Sequence, residues 1–80
     1  MKLIKVDKIL INTEKIIFIQ EEKDFINFYI DNDYKLKIRV KNFNIDKLLN
    51  FMAINGENSD VVDLSPIVIE YKIIDLRYGS

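Results

Sequence analysis

The sequence predicts an α+β domain, a mainly antiparallel sheet with one helix, in the order β-β-β-β-α-β. Three observations carry that prediction. Several stretches place apolar residues at every second position, the period of a strand. One stretch repeats them at helical spacing instead. Turns fall to Asn and Asp, because the 80 residues hold one Pro and two Gly. The length suits one domain, residues 1–80.

Lys2 to Asn12 reads as one extended or bulged strand, with Ile4 and Val6, then Ile9 and Ile11, as its apolar positions. Asn12-Thr13-Glu14-Lys15 turns into Ile16-Ile17-Phe18-Ile19, a β-branched and aromatic run that favours strand. Alternation puts Ile16 and Phe18 on one face and Ile17 and Ile19 on the other. After a turn at 21–24, Phe25–Ile30 and Tyr34–Lys41 form a hairpin whose register follows from pattern. A two-residue loop at Asn32-Asp33 would set Ile30, Phe28 and Ile26 against Lys35, Lys37 and Arg39. A three-residue loop, Asp31-Asn32-Asp33, sets them against Tyr34, Leu36 and Ile38 and gathers the apolar residues on one face. The longer loop is therefore expected, with Asn32 or Asp33 in the left-handed conformation that Gly usually supplies.

Asn44 is the expected N-cap of a helix over about 45–55, with Phe43 and Leu48 at the positions of a hydrophobic staple. Ile45, Leu48, Leu49 and Met52 share one face at i, i+3, i+4, i+7, and Gly56 is the expected stop. Residues 57–65 read as a loop. Pro66 opens a last strand from Ile67 to about Tyr78. Its apolar positions Ile67, Ile69, Tyr71 and Ile73 shift phase to Ile74, Leu76 and Tyr78, as a bulge or bend produces.

Composition narrows the function classes. Twelve basic and 13 acidic residues give a net charge of −1, which disfavours a strongly basic nucleic-acid binder. Without Cys or His the chain lacks disulfides, the usual zinc ligands and the usual nucleophile–base pairs. Ser59, Ser65 and Ser80 have no imidazole to activate them. Asp31-Asn32-Asp33 resembles the opening of a calcium loop, but Leu36 stands where that loop needs Gly and Asn42 where it needs Glu. No catalytic residue, metal or cofactor is expected. Charges interrupt every apolar run near Met1, and no apolar stretch approaches the ~20 residues of a membrane span. A cytoplasmic protein is the expectation.

Two features remain. Lys35, Lys37, Arg39 and Lys41 form a cationic stripe on one strand face, beside Phe25, Asn27 and Tyr29. Cations interleaved with aromatics suit a single-stranded nucleic acid or another anionic ligand; a solvated face is the plainer alternative. The second feature is an apolar surplus. Strand 16–20 is apolar on both faces, strand 25–30 adds Phe25 and Tyr29 to its second face, and the last strand is two-sided as well. One helix of three turns covers one face only. The other calls for a second copy of the chain, a barrel-like curl of the sheet, or an unrelated partner.

The stretch Ile9-Leu10-Ile11-Asn12-Thr13-Glu14-Lys15-Ile16-Ile17-Phe18-Ile19-Gln20, then Phe25–Asn32, the strand at 34–41 and the short helix, resembles small bacterial proteins of the flagellar FlbD type. More distantly it is similar to the strand–hairpin–helix part of LytTR domains. The resemblance covers residues 9–52, with Asn32-Asp33 where such proteins commonly carry Gly. It implies a small regulatory or interaction module and assigns no site residue. The leading expectation is thus a non-enzymatic regulatory or inhibitory protein, of the kind phages and mobile elements encode. It would act by protein–protein contact as a homo-oligomer, with Ile17, Ile19, Phe25, Tyr29, Tyr71 and Tyr78 at the interface. Binding of nucleic acid or an anionic ligand through Lys35, Lys37, Arg39 and Lys41 is the alternative.

Overall fold

The computed structural model describes residues 2–42 and 44–77. Phe43, expected in the staple, and Tyr78, expected at the interface, lie outside the described residues. The elements are β1 (Leu3–Val6), β2 (Ile9–Asn12), a 3-10 turn (Thr13–Lys15), β3 (Ile16–Glu21), β4 (Ile26–Ile30), β5 (Tyr34–Val40), α1 (Ile45–Gly56), β6 (Val61–Asp63) and β7 (Val68–Asp75). They make an α+β fold of two sheets, ordered β2-β1-β6 and β3-β4-β5-β7. All strand pairs are antiparallel except β1 with β6. The sheets are separate and do not close into a barrel.

The expected first strand is a hairpin. Val6 pairs with Ile9 and Ile4 with Ile11, around a two-residue turn in which Asp7 takes φ 54°. A two-residue turn moves the apolar positions from even to odd numbers, the same shift that a bulge leaves in the sequence. The expected loop at 57–65 contains β6, whose Val62 lies parallel beside Ile4. These two departures build the second sheet.

The β4–β5 hairpin keeps the expected register, with Ile30 opposite Tyr34, Phe28 opposite Leu36 and Ile26 opposite Ile38. Its left-handed residue, however, is Asp31 (φ 49°) rather than Asn32 or Asp33. The Asp31 N–H donates to the Lys15 carbonyl (2.7 Å), which ties the start of the loop to the 3-10 turn and puts the reversal there. In β3 the register shifts between Ile16 and Phe18. The bulge leaves Ile17 unpaired and half exposed. Ile19 therefore falls opposite Phe28 and packs on the core with Ile16, while Phe18 joins the outer face. Strict alternation had separated Ile16 from Ile19.

Asn44 caps α1: its Oδ1 accepts the Lys47 N–H (3.0 Å), and Glu21 Oε1 on β3 accepts the Ile45 N–H (2.7 Å). Gly56 is the last helical residue and is buried, so here it serves packing rather than a left-handed stop. The helix buries Leu48 and Met52; Ile45 is half buried, and Leu49 stays 44% exposed. The core draws Ile4, Val6, Ile11, Val62 and Leu64 from the small sheet and its flank. Ile26, Phe28, Leu36 and Ile38 come from the large sheet, and Leu48 and Met52 from the helix. Among the described residues, no helix is long and apolar enough to cross a membrane.

Candidate functional site

Two surfaces of the four-stranded sheet differ from ordinary solvated protein. The first is its outer face. There β3 contributes Phe18 and Gln20, β4 Asn27 and Tyr29, β5 Lys35, Lys37 and Arg39, and β7 Glu70, Lys72 and Ile74. The Phe18 and Tyr29 rings stack at 4.1 Å, 16° from parallel. Lys35 lies over the Tyr29 ring (5.7 Å) and Lys37 over Phe25 (4.5 Å). Carboxylates answer two of the cations: Glu22 Oε2 lies 3.6 Å from Lys37 Nζ, and Glu70 Oε1 lies 3.3 Å from Arg39 Nη1. Beneath this layer Asn27 is wholly buried and donates from Nδ2 to Glu22 Oε1 (2.7 Å). That hydrogen bond, with the charge of Lys37 behind it, holds the Glu22 carboxyl below its usual range. Lys41, expected as the fourth cation of the stripe, stands beyond the end of β5. The outer face thus occupies its own rings and neutralises part of its own charge.

The second surface is the free edge at β7. This eight-residue strand pairs with β5 alone among the described strands. Register carries the inner rows of side chains from β5 onto β7, and exposure jumps between them. Leu36 and Ile38 are fully buried, whereas Ile73 and Tyr71, directly opposite, are 45% and 39% exposed. The small sheet and helix cover β4 and β5 and leave Ile69, Tyr71 and Ile73 of β7 partly exposed. Along the resulting opening, Ile9, Leu10, Ile30, Tyr34 and Ile73 line a groove of about 260 Å3. Near its other end the Tyr71 hydroxyl donates to Asp7 Oδ2 (2.8 Å), which raises the Tyr71 pKa above the usual phenol value. The Asp7 N–H in turn donates to Ser65 Oγ (2.7 Å). The left-handed turn of the β1–β2 hairpin is thereby tied to both β7 and the chain entering it. A bulge at Ile69, where the register shifts between Arg39 and Val40, interrupts the pairing, which resumes with Val40 opposite Val68.

The expected interface residues do not gather on one surface. Ile17 sits at the β3 edge, Phe25 and Tyr29 at the outer face, Ile19 against the core, and Tyr71 at the opposite edge. Leu10, Ile69, Ile73 and Leu76, all exposed, lie on or beside the β7 side and are not among the expected interface residues. Their signal was present in the two-sided last strand, but which of its faces is covered depends on the second sheet.

No family model, no curated protein and no solved structure matches this chain.

Proposed function

We propose that this is a non-enzymatic regulatory protein of the cytoplasm that acts by protein–protein contact, as a homo-oligomer, through the open β7 side of its sheet. The observation that carries the reading is the exposure step from Leu36 and Ile38 to Ile73 and Tyr71 within single cross-strand rows. Covering each large apolar side chain is worth about 1.5–3 kcal/mol. An open strand edge adds unpaired main-chain groups that a further strand can satisfy. The resemblance of residues 9–52 to small bacterial regulatory modules points the same way.

Sedimentation velocity across the micromolar range tests the reading. The expected result is a concentration-dependent oligomer that Ile73→Lys converts to a folded monomer. A wild-type protein that stays monomeric throughout refutes it.

A further inference from the structure

We infer that the β7 edge pairs with β7 of a second copy of this chain, antiparallel and in a register centred on Tyr71. This rests on the reading above and adds the strand that pairs and the register.

Hydrogen-bond alternation selects the groups on offer. The Leu76 N–H donates to the Asp33 carbonyl (2.8 Å), next to the pair Tyr34–Asp75. Asp33 and Leu76 are therefore a hydrogen-bonded pair. Alternation along an antiparallel ladder then turns the main-chain groups of Ile74, Lys72 and Glu70 towards β5 and those of Asp75, Ile73 and Tyr71 towards the open edge. Two copies that meet there about a two-fold axis normal to the sheet keep their inner and outer faces. Only residues an even number of positions apart can then stand opposite one another. Centring on Glu70 or Lys72 sets like charges in opposition. Centring on Ile73 or Ile74 sets Lys72 against Ile74 or Leu76. Centring on Tyr71 sets Glu70 opposite Lys72 of the second copy, twice by symmetry, at the non-hydrogen-bonded positions where side chains come closest. It also joins the two Tyr71 residues through their outward main-chain groups and brings Ile73 to the Val68–Ile69 bulge of the second copy.

A second observation concerns Lys72 alone. In its own sheet it stands opposite Lys37, a like charge. Lys37 is answered by Glu22, but no carboxylate of the described residues forms an ion pair with Lys72. The missing anion is Glu70 of the second copy. Glu70 keeps Arg39 at 3.3 Å, and its two oxygens have acceptor capacity for both cations.

The chain has no cysteine, so engineered thiols report without background. Glu70→Cys and Lys72→Cys are prepared separately, mixed, equilibrated and oxidised. In the proposed register a thiol of one variant faces a thiol of the other at Cα separations of about 4.5 Å, within disulfide range. Two copies of the same variant stand about 8 Å apart, outside it. The expected result is a covalent dimer in the mixture, at the mass of the mixed pair, far exceeding that of either variant alone. Lys72→Glu supplies an independent measurement. It places a carboxylate opposite Lys37 within the chain, which preserves the fold, and opposite Glu70 across the dimer, which weakens association about tenfold. If wild type associates but the mixture cross-links no better than its components, or Lys72→Glu associates undiminished, this register is overturned and the open-edge reading stands. A monomeric wild type overturns both.

Discussion

Leu48 and Leu49 are neighbours on α1, identical in chemistry, and both belong to the apolar face that helical spacing defines. Their environments separate them. Leu48 is fully buried in the core and Leu49 is 44% exposed. Truncating Leu48 to Ala removes buried carbons and leaves a cavity, a loss of about 2–5 kcal/mol. Truncating Leu49 forfeits about half the transfer term and opens no enclosed cavity, about 1 kcal/mol. An 80-residue domain has about 4–12 kcal/mol of total stability. Leu48→Ala therefore removes a large share of it, and Leu49→Ala a small one. In a domain of this size each kcal/mol moves Tm by about 4–8 °C. A Leu48→Ala loss of about 3 kcal/mol corresponds to roughly 12–24 °C, against about 4–8 °C for Leu49→Ala. Thermal unfolding followed by circular dichroism reads both, at one fixed protein concentration because self-association would shift Tm. Equal shifts, or the reverse order, would refute the placement of α1 on the core.

Asp31→Gly should raise stability by about 0.5 kcal/mol, seen as a higher urea midpoint, because Asp31 holds φ 49° against the preference of any residue with a Cβ. The Asn27 hydrogen bond and the Lys37 charge depress the Glu22 pKa in the folded state. Its contribution is thus present above the unfolded carboxylate's range and is lost as pH falls through the folded value. The urea midpoint should drop across that acid window, and drop less in Glu22→Gln. Single-stranded oligonucleotide at low salt should give no binding with the steep salt dependence of phosphate contacts, since Glu22 and Glu70 already answer Lys37 and Arg39. A salt-sensitive signal that Lys35→Glu removes would move the function to the outer face.

How much of this was legible depended on the range of the interactions. The β4–β5 register could be read because one wrong step sets Phe28 and Ile26 against cations, and only one loop length avoids that. The cap at Asn44 could be read because capping is local. The hairpin at Asp7 was ambiguous: a phase shift from Val6 to Ile9 fits a bulge as well as a two-residue turn, and no Gly marks the turn. β6 was not legible. It is three residues long, follows Asn58-Ser59-Asp60, and exists only because Val62 finds Ile4, 58 positions away. The β3 bulge at Ile17 belongs to the same class: nothing local distinguishes Ile17 from Ile16 or Ile19, and pairing with β4 decides which of them turns inward.

These misses bear directly on the apolar surplus. Counting one helix as the sole covering layer left a whole sheet face in need of a partner. The small sheet supplies that layer, with Ile4, Val6, Ile11 and Val62 packed in one core with Phe28, Leu36 and Ile38. The outer face covers part of its own rings: Phe18 and Tyr29 stack on each other, Lys35 and Lys37 extend over Tyr29 and Phe25, and Phe18 stays half exposed. What remains exposed falls in separate places: Ile17 and Phe18 on β3, Leu49 and Ile54 on α1, and a strip one strand wide along β7 that holds Ile69, Tyr71 and Ile73. A narrow strip suits a strand better than a globular surface, because a strand brings its own hydrogen-bonding edge to the strip and its own side chains to the groove beside Ile73. The part of the apolar surplus that lies along β7 thus forms a strip whose width matches the element proposed to fill it.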